Sequence, residues 1–195
     1  MKQQLRLSGS GGQGVITAAI IFAEAAVADG LEAVQSQSYG PEARGGASKS
    51  EVIVSDEPIY HPHVEHPDLV LAMTQKAADK YFIDLREDGL LVLDEQLVPE
   101  PPKFARTFRI PITKLAVEEV GKPLFANIVA LGALVRLTQL VPLEAVQTSV
   151  ANRVPPHTVE PNMKALRVGW DAAGKGMEKQ GMGAFTPKAG AGRAR

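Results

Sequence analysis

A glycine-rich segment near the amino terminus, Gly9-Ser-Gly-Gly-Gln-Gly14, has the residue types and spacing of a phosphate-binding turn. It follows an alternating apolar run over residues 1–7 and precedes a helix-forming run over residues 15–28. Glycine allows a sharp turn and close approach of the backbone to a ligand, and the following helix offers free N–H groups and the positive end of its dipole. We therefore predict a site for a phosphate-bearing ligand. Its candidate residues are Gly9, Gly11, Gly12, Gln13 and Gly14.

The same spacing satisfies the glycine fingerprint of a dinucleotide site, so NAD or FAD is an alternative ligand. Such a site also needs an acidic residue at the end of the second strand to bind the ribose hydroxyls. Here that strand ends Val-Gln-Ser-Gln37, and Glu32 lies at its start. A purely structural tight turn is the third interpretation.

A second unusual segment, Gln37-Ser-Tyr-Gly-Pro-Glu-Ala-Arg-Gly-Gly46, follows the second predicted strand. Its position predicts that it emerges at the carboxyl edge of the sheet, beside the first glycine turn, where ligands bind in open α/β sheets. The guanidinium of Arg44 can contact phosphate or carboxylate in a bidentate manner, and Gly45 and Gly46 allow close approach. The alternative is a bulge at the glycine pair and a surface ion pair between Arg44 and Glu42.

The elements that must position these loops form an α/β pattern. Short, continuous apolar runs at 68–72 and 90–94 are typical of strands buried on both faces of a parallel sheet, whereas 48–54 alternates like a strand near an edge. We predict a three-layer α/β/α, Rossmann-like fold with a mostly parallel sheet and an antiparallel edge hairpin. The other predicted strands are 1–7, 31–37 and 106–110, and the predicted helices are 15–28, 75–85, 113–120, 127–140, 143–152 and 159–173.

A single domain is predicted over residues 1–173, because 195 residues suffice for one well-packed domain and are few for two. From Gly174 onward the sequence is rich in glycine and basic residues, which predicts a flexible basic tail over 174–195. A docking arm for an acidic partner is the alternative for this tail.

The composition excludes several classes of function. The sequence has no cysteine, which excludes disulfides, a cysteine nucleophile and thiolate-bound zinc, and leaves an iron–sulfur cluster without its usual ligands in this chain. The net charge of −1, with both signs interspersed, argues against nucleic-acid binding. Neither a signal peptide nor an apolar run long enough for a membrane span is evident, so we expect a cytoplasmic protein with no membrane contact.

Other polar residues carry weaker signals. His61-Pro-His-Val-Glu-His66 places possible metal ligands close together, but in a Pro-rich connection without evident support, so no metal site is predicted. Glu118 and Glu119 are expected to be solvated on a helix. Asn127 lies near the start of an apolar helix, where capping is the favoured role and an interface contact the alternative.

Taken together, these motifs resemble the gamma subunit, or gamma domain, of the 2-oxoacid:ferredoxin oxidoreductases. The resemblance covers about residues 5–173, and the motif Ser-Tyr-Gly-Pro-Glu-Ala-Arg-Gly-Gly is most similar to that of the 2-oxoglutarate branch. The matching segments are Gly9 to Gly14, Gln37 to Gly46 with Ser48 and Ser50, Pro67-Asp68, Ala126-Asn-Ile-Val-Ala-Leu-Gly132, and Glu160 to Leu166 followed by Gly169.

The resemblance implies a multi-subunit enzyme that oxidatively decarboxylates a 2-oxoacid to an acyl-coenzyme A, with ferredoxin as electron acceptor. Thiamine diphosphate, Mg and iron–sulfur clusters are then held by partner alpha and beta subunits, with a delta subunit left open. This chain has neither cysteine nor a Gly-Asp-Gly thiamine motif. The resemblance therefore implies that its role is to bind coenzyme A and to close over the active site of the partner subunits. It would be inactive alone.

The resemblance also assigns roles within the anion site. Gly11, Gly12, Gln13 and Gly14 are expected near the phosphates of coenzyme A, with Arg44, Gly45 and Gly46 near the pantetheine or the 3′-phosphate. No catalytic residue is expected in this chain. Three alternatives remain open: the small subunit of an indolepyruvate ferredoxin oxidoreductase, a non-catalytic assembly subunit, and a free-standing NAD-dependent dehydrogenase.

Overall fold

The computed structural model describes residues 1–38 and 46–186. Within these residues the six strands lie between Lys2 and Ile110 together with two of the six α-helices, and helices dominate the remainder. The strands are β1 (Lys2–Ser10), β2 (Glu32–Gln37), β3 (Ala47–Ser55), β4 (Leu69–Ala72), β5 (Leu90–Asp94) and β6 (Thr107–Ile110). The α-helices are α1 (Val15–Ala28), α2 (Gln75–Tyr81), α3 (Ile112–Leu115), α4 (Ala126–Thr138), α5 (Leu143–Arg153) and α6 (Val159–Gln180).

One sheet holds all six strands in the order β2-β3-β1-β4-β5-β6. β1, β4, β5 and β6 are parallel, whereas β3 is antiparallel to both β1 and β2. The predicted mostly parallel sheet with an antiparallel edge hairpin is therefore confirmed. Because β2 and β1 both run antiparallel to β3, their carboxyl ends lie at the same edge, which is where the sequence places both glycine loops.

Helices cover the two faces of the sheet unequally. α1 packs on β1, β2 and β3 on one face, and behind it the almost wholly buried α4 contacts α1 and α6. The other face is covered by α2, which is capped by the Thr74 hydroxyl accepting from the Ala77 N–H at 3.3 Å. β4 and β5 are buried on both faces, as their continuous apolar sequences predict.

The C-terminal boundary differs from the prediction. α6 continues to Gln180 rather than ending at Ala173, and Met177 and Phe185 are buried, so the prediction of a flexible tail is wrong for residues 174–186. Gly174 and Gly176 suggested a break, but a Cβ on Gly176 would lie 2.5 Å from the Phe108 ring. These glycines allow close packing within a helix, while residues 187–195 lie outside the described residues.

The predicted helix over 113–120 is also different. α3 ends at Leu115, and residues 116–120 form one wider π-helical turn that ends at Gly121, whose φ is +102°. Asp94 fixes the start of this segment, because its buried carboxylate accepts from the backbone N–H and the hydroxyl of Thr113 at 2.8 and 2.6 Å. The second predicted helix is shorter as well, since α2 ends at Tyr81.

Candidate functional site

The first glycine loop connects β1 to α1 at the carboxyl edge of the parallel strands. Gly12 has φ +88° and Gly14, the N-cap of α1, has φ +75°; both lie in the left-handed region that favours glycine. Gly12 is exposed, and a Cβ built on it would meet nothing within 4 Å. No hydrogen bond from a side chain caps α1 in the described part of the chain, so its first N–H groups are available to an anion.

Gly9 and Gln13 shape the loop from within. The Gln13 side-chain oxygen accepts from the Ser10 N–H at 2.7 Å, and the Gln13 backbone N–H donates to the Ser10 carbonyl at 3.2 Å. A Cβ on Gly9 would lie 2.5 Å from that side-chain oxygen. Gly9 therefore makes room for Gln13, and Gln13 closes the turn, so the contacts of both residues are with the loop itself.

The second glycine loop meets the first at Gly46. The Gly11 N–H donates to the Gly46 carbonyl at 3.3 Å, and the Ser48 hydroxyl lies 3.5 Å from the Gly9 carbonyl. The two segments are thus brought together at one sheet edge, as their positions in the sequence predict. Arg44 and Gly45 lie outside the described residues, and their placement at this site stays a prediction.

Asn127 makes a different contact from the helix cap that its position in the sequence predicts. α4 has Phe125 as its N-cap and no side-chain cap, so the favoured capping role of Asn127 is wrong. Its amide nitrogen instead donates to the Gly14 carbonyl at 3.3 Å, across 113 positions of sequence. A Cβ on Gly14 would lie 2.5 Å from that nitrogen. The starts of α1 and α4 therefore meet at the glycine loop.

The acid that a dinucleotide site requires is missing from the end of β2. Glu32 pairs with Ser55 at the opposite edge of the sheet, and β2 ends at Gln37. Another acid, Asp94, ends β5 at the carboxyl edge, but besides Thr113 it accepts from the N–H groups of Gln96 and Leu97. Its carboxylate is occupied by the fold, so neither Glu32 nor Asp94 is placed to supply the ribose contact.

Asp68, which directly precedes β4, also has a structural role. It lies at the amino edge, where its carboxylate accepts from the Gln4 N–H at 2.8 Å and pairs with Arg86 at 3.4 Å. Burial raises the pKa of Asp68 above its ordinary value, and the Gln4 and Arg86 contacts offset this only in part. The residue lies at the end of the sheet opposite to the glycine loops, which separates it from their chemistry.

Two surface cavities lie away from the glycine loops. One of about 440 Å³ lies between α1 and β2 and is lined by Ile20, Val27 and Ala33 among others. The other, of about 760 Å³, is lined by residues of α5 and α6. Neither cavity includes a described residue of the glycine loops.

Neither a cluster of metal ligands nor a helix suited to crossing a membrane is present in residues 1–38 and 46–186. No three His, Asp or Glu side chains converge there in an arrangement that could hold a metal ion. His66 lies 3.3 Å from the Asp84 carbonyl through its Nδ1. Within the same residues, no helix combines the length and apolar content needed to cross a bilayer.

The sheet topology and the glycine turn define a Rossmann-like α/β protein whose ligand edge carries two glycine loops. More narrowly, the chain belongs to the pyruvate ferredoxin/flavodoxin oxidoreductase family, whose sequence profile matches residues 4–172. The family resemblance recognised from the sequence motifs is thereby confirmed.

Known proteins of this family are similar over nearly the whole chain. The 2-oxoglutarate synthase subunit KorC of Methanocaldococcus jannaschii is 48% identical over 89% of this chain and 95% of its own length. The keto/oxoacid ferredoxin oxidoreductase gamma subunit from Geobacter sulfurreducens PCA is 48% identical, with a TM-score of 0.83 over 90% of this chain and 98% of that chain.

A larger relative shares the fold at lower identity. The 2-oxoglutarate:ferredoxin oxidoreductase from Magnetococcus marinus, solved with 2-oxoglutarate, coenzyme A and succinyl-CoA bound, is 22% identical with a TM-score of 0.75. The match covers 95% of this chain and 32% of that one. It shows that the same fold occurs as one part of a longer polypeptide.

Proposed function

We propose that this chain is the gamma subunit of a 2-oxoglutarate:ferredoxin oxidoreductase and contributes the phosphate-binding part of its coenzyme A site. Family membership and the 48% identity to a 2-oxoglutarate synthase subunit over nearly the whole length support the subunit assignment. The observation that carries the coenzyme A site is the open, left-handed Gly12 in front of a helix that no side chain caps among the described residues.

In this proposal the chain supplies binding and orientation, while the electron-transfer groups belong to its partners. Coenzyme A supplies the thiol that accepts the acyl group. With no cysteine, the chain cannot hold an iron–sulfur cluster by its usual ligands, so clusters, thiamine diphosphate and Mg are assigned to alpha and beta subunits, and a delta subunit remains open. Anchoring the phosphates at the α1 N-terminus would orient the thiol towards the partners' active site.

Gly12→Ala tests the phosphate site directly. An added methyl group would lie at the loop tip, where the phosphate is proposed to approach, so we expect KM for coenzyme A to rise about tenfold or more, as for loss of a charge-assisted hydrogen bond. The kcat at saturating coenzyme A should change little. The measurement is steady-state ferredoxin reduction by the assembled complex, with coenzyme A varied at fixed 2-oxoglutarate.

Gly30→Ala is the matched control for this substitution. Gly30 has φ +86°, is exposed and, like Gly12, would place a Cβ in open space, so the backbone strain is the same. It lies at the far end of α1, distant from the loop. Equal values of KM for coenzyme A in the two variants would contradict the proposed phosphate site.

Arg44→Ala tests the second loop. If Arg44 binds the pantetheine or the 3′-phosphate, its loss should raise KM for coenzyme A by about 10- to 100-fold, because charge-assisted contacts contribute about 1.5–3 kcal/mol. Arg44→Lys should recover only part of this affinity, since an ammonium group cannot form the bidentate contact. Wild-type KM and wild-type rate in Arg44→Ala would remove this residue from the site.

A further inference from the structure

The contact between Asn127 and the Gly14 carbonyl fixes the orientation of one peptide plane. The Gly14 carbonyl accepts from two donors, the Ala18 N–H within α1 at 3.1 Å and the Asn127 amide at 3.3 Å. A trans peptide is planar, so its C=O and N–H point in opposite directions. Holding the Gly14 oxygen towards α4 and the body of α1 therefore directs the N–H of Val15 outwards, in front of the helix.

The described restraints on the loop lie at its two ends, and the glycines between them are free of side-chain restraint. Gly12 and Gly14 both have positive φ, and glycine adopts many other backbone conformations at low cost. The described contacts that restrain this stretch are the Gln13 bonds to Ser10 and the Gly11 bond to Gly46 near β1, and the bonds of Ala18 and Asn127 to the Gly14 carbonyl at the helical end. Of the two bonds at the helical end, Asn127 makes the one that comes from outside α1.

The same contact joins two helix starts. α4 begins at Ala126, one residue before Asn127, and α1 begins one residue after Gly14. The side-chain amide therefore holds the N-termini of two helices of 13 and 14 residues close together, and the positive ends of both dipoles lie near the loop. This hydrogen bond therefore orients the free N–H groups of the loop and the two helix dipoles before any ligand binds.

We infer that Asn127 is a positioning residue for the anion site: its amide holds the Gly14–Val15 peptide so that the loop is preorganised for the phosphates of coenzyme A. This inference rests on the proposed function of the loop. Preorganisation removes an ordering cost that would otherwise weaken binding. The effect should therefore appear in the affinity for coenzyme A and not in the later steps.

The test compares Asn127→Ala and Asn127→Asp in the assembled complex. We expect Asn127→Ala to raise KM for coenzyme A about three- to tenfold, as for one lost hydrogen bond, with kcat and KM for 2-oxoglutarate unchanged. Asn127→Asp keeps the shape but replaces the N–H donor with a negative charge beside the anion. Its KM for coenzyme A should rise further, and the excess over Asn127→Ala should shrink as salt is added.

Asn162→Ala provides the matched control. Asn162 is buried in α6 and donates to the Thr158 carbonyl at 2.8 Å, so it makes the same kind of bond away from the loop. We expect it to leave KM for coenzyme A unchanged. Wild-type KM in both Asn127 variants would overturn the inference. So would failure of both Asn127 variants to assemble while Asn162→Ala assembles normally, because the role would then be structural.

Hydrogen exchange separates this inference from the proposed function. In the wild-type complex, coenzyme A should slow exchange of the amides at residues 11–17. Absence of that protection would contradict both the coenzyme A site and the role given to Asn127. Protection in the wild type, retained at the same coenzyme A concentration in both Asn127 variants, would overturn only the positioning role.

Discussion

Gly132→Ala is expected to destabilise the protein by about 3 kcal/mol or more, the upper range for overpacking a buried site. A Cβ on Gly132 in α4 would lie 2.0 Å from the Leu166 carbonyl oxygen of α6, and a Cβ on Gly169 would lie 1.8 Å from the Val129 carbonyl oxygen. The two helices thus contact each other backbone to backbone. An added methyl group has to push α6 away, because a carbonyl cannot rotate aside as a side chain can.

This effect should exceed the intrinsic benefit of alanine in a helix, which is about 1 kcal/mol relative to glycine. Gly174→Ala in α6 is the control, since its Cβ would lie 3.2 Å from the Nε of Arg136, a longer distance and to a side-chain atom rather than to a backbone carbonyl. Urea unfolding of both variants should show a large decrease in the free energy of unfolding for Gly132→Ala and a change within about 1 kcal/mol for Gly174→Ala. Equal values would show that the helix contact is not tight.

The Gly132 substitution should also reach the anion site. α4 carries Asn127 at its first turn, and Asn127 contacts Gly14. Displacement of α4 from α6 would alter the register of that contact. In complexes that still assemble, we therefore expect KM for coenzyme A to rise with Gly132→Ala and not with Gly174→Ala.

Local sequence signals predicted the parts of the site that depend on neighbours in the chain. The turn from β1 into α1 follows from glycine spacing and helix propensity, and α1 spans Val15–Ala28 as predicted. The proximity of Gly46 to Gly11 also follows from the sequence, because the hairpin returns the second loop to the same sheet edge. Both inferences need only strand direction and glycine conformation.

The residues that were missed act over long sequence separations. The sequence predicts that Asn127 caps a helix, because asparagine near a helix start commonly bonds the free N–H groups there. Only the packed structure shows that Gly14 lies beside it. Gly176 lies in the glycine-rich segment that was predicted to be a flexible tail, yet the Phe108 ring fills the space where its side chain would be. Tertiary contacts decide both positions, and no local pattern contains them.

Arg6 is a further residue whose role depends on distant contacts. In the sequence it occupies only a polar position of β1, where polar and apolar residues alternate. Arg6 as a whole residue is 3% exposed, and its guanidinium lies on the α2 face of the sheet. It donates to Glu51 at 2.7 Å, to the Tyr81 carbonyl at 3.1 Å and to both carboxylate oxygens of Asp84, one of them at 2.9 Å. Lys49 pairs with Glu51 at 2.8 Å, so the cluster holds two charges of each sign.

Arg6→Met is therefore expected to destabilise the chain by about 3–5 kcal/mol, the range for removing one partner of a buried ion pair. Methionine fills a similar volume, so the cost comes from removing the Arg6 donor from the Tyr81 carbonyl and the Asp84 carboxylate and from leaving Glu51 with Lys49 as its remaining described donor. Adding Glu51→Met should recover part of the loss. Arg153→Ala is the control: its exposed pair with Glu24, 3.1 Å apart, should contribute less than about 1 kcal/mol.

The pH dependence of the Arg6 substitution gives a second readout. Burial raises the pKa of Asp84, but the hydrogen bond and charge of Arg6 outweigh it, so the pKa lies below its ordinary value. A carboxyl group whose pKa is lowered by folding stabilises the protein above its unfolded pKa, and this stabilisation is lost as the pH falls through the folded pKa. The difference in unfolding free energy between wild type and Arg6→Met should thus be largest near neutral pH and shrink below about pH 4, where unfolded Asp titrates. A difference that stays constant down to low pH would show that Arg6 stabilises the sheet through packing rather than through its charge.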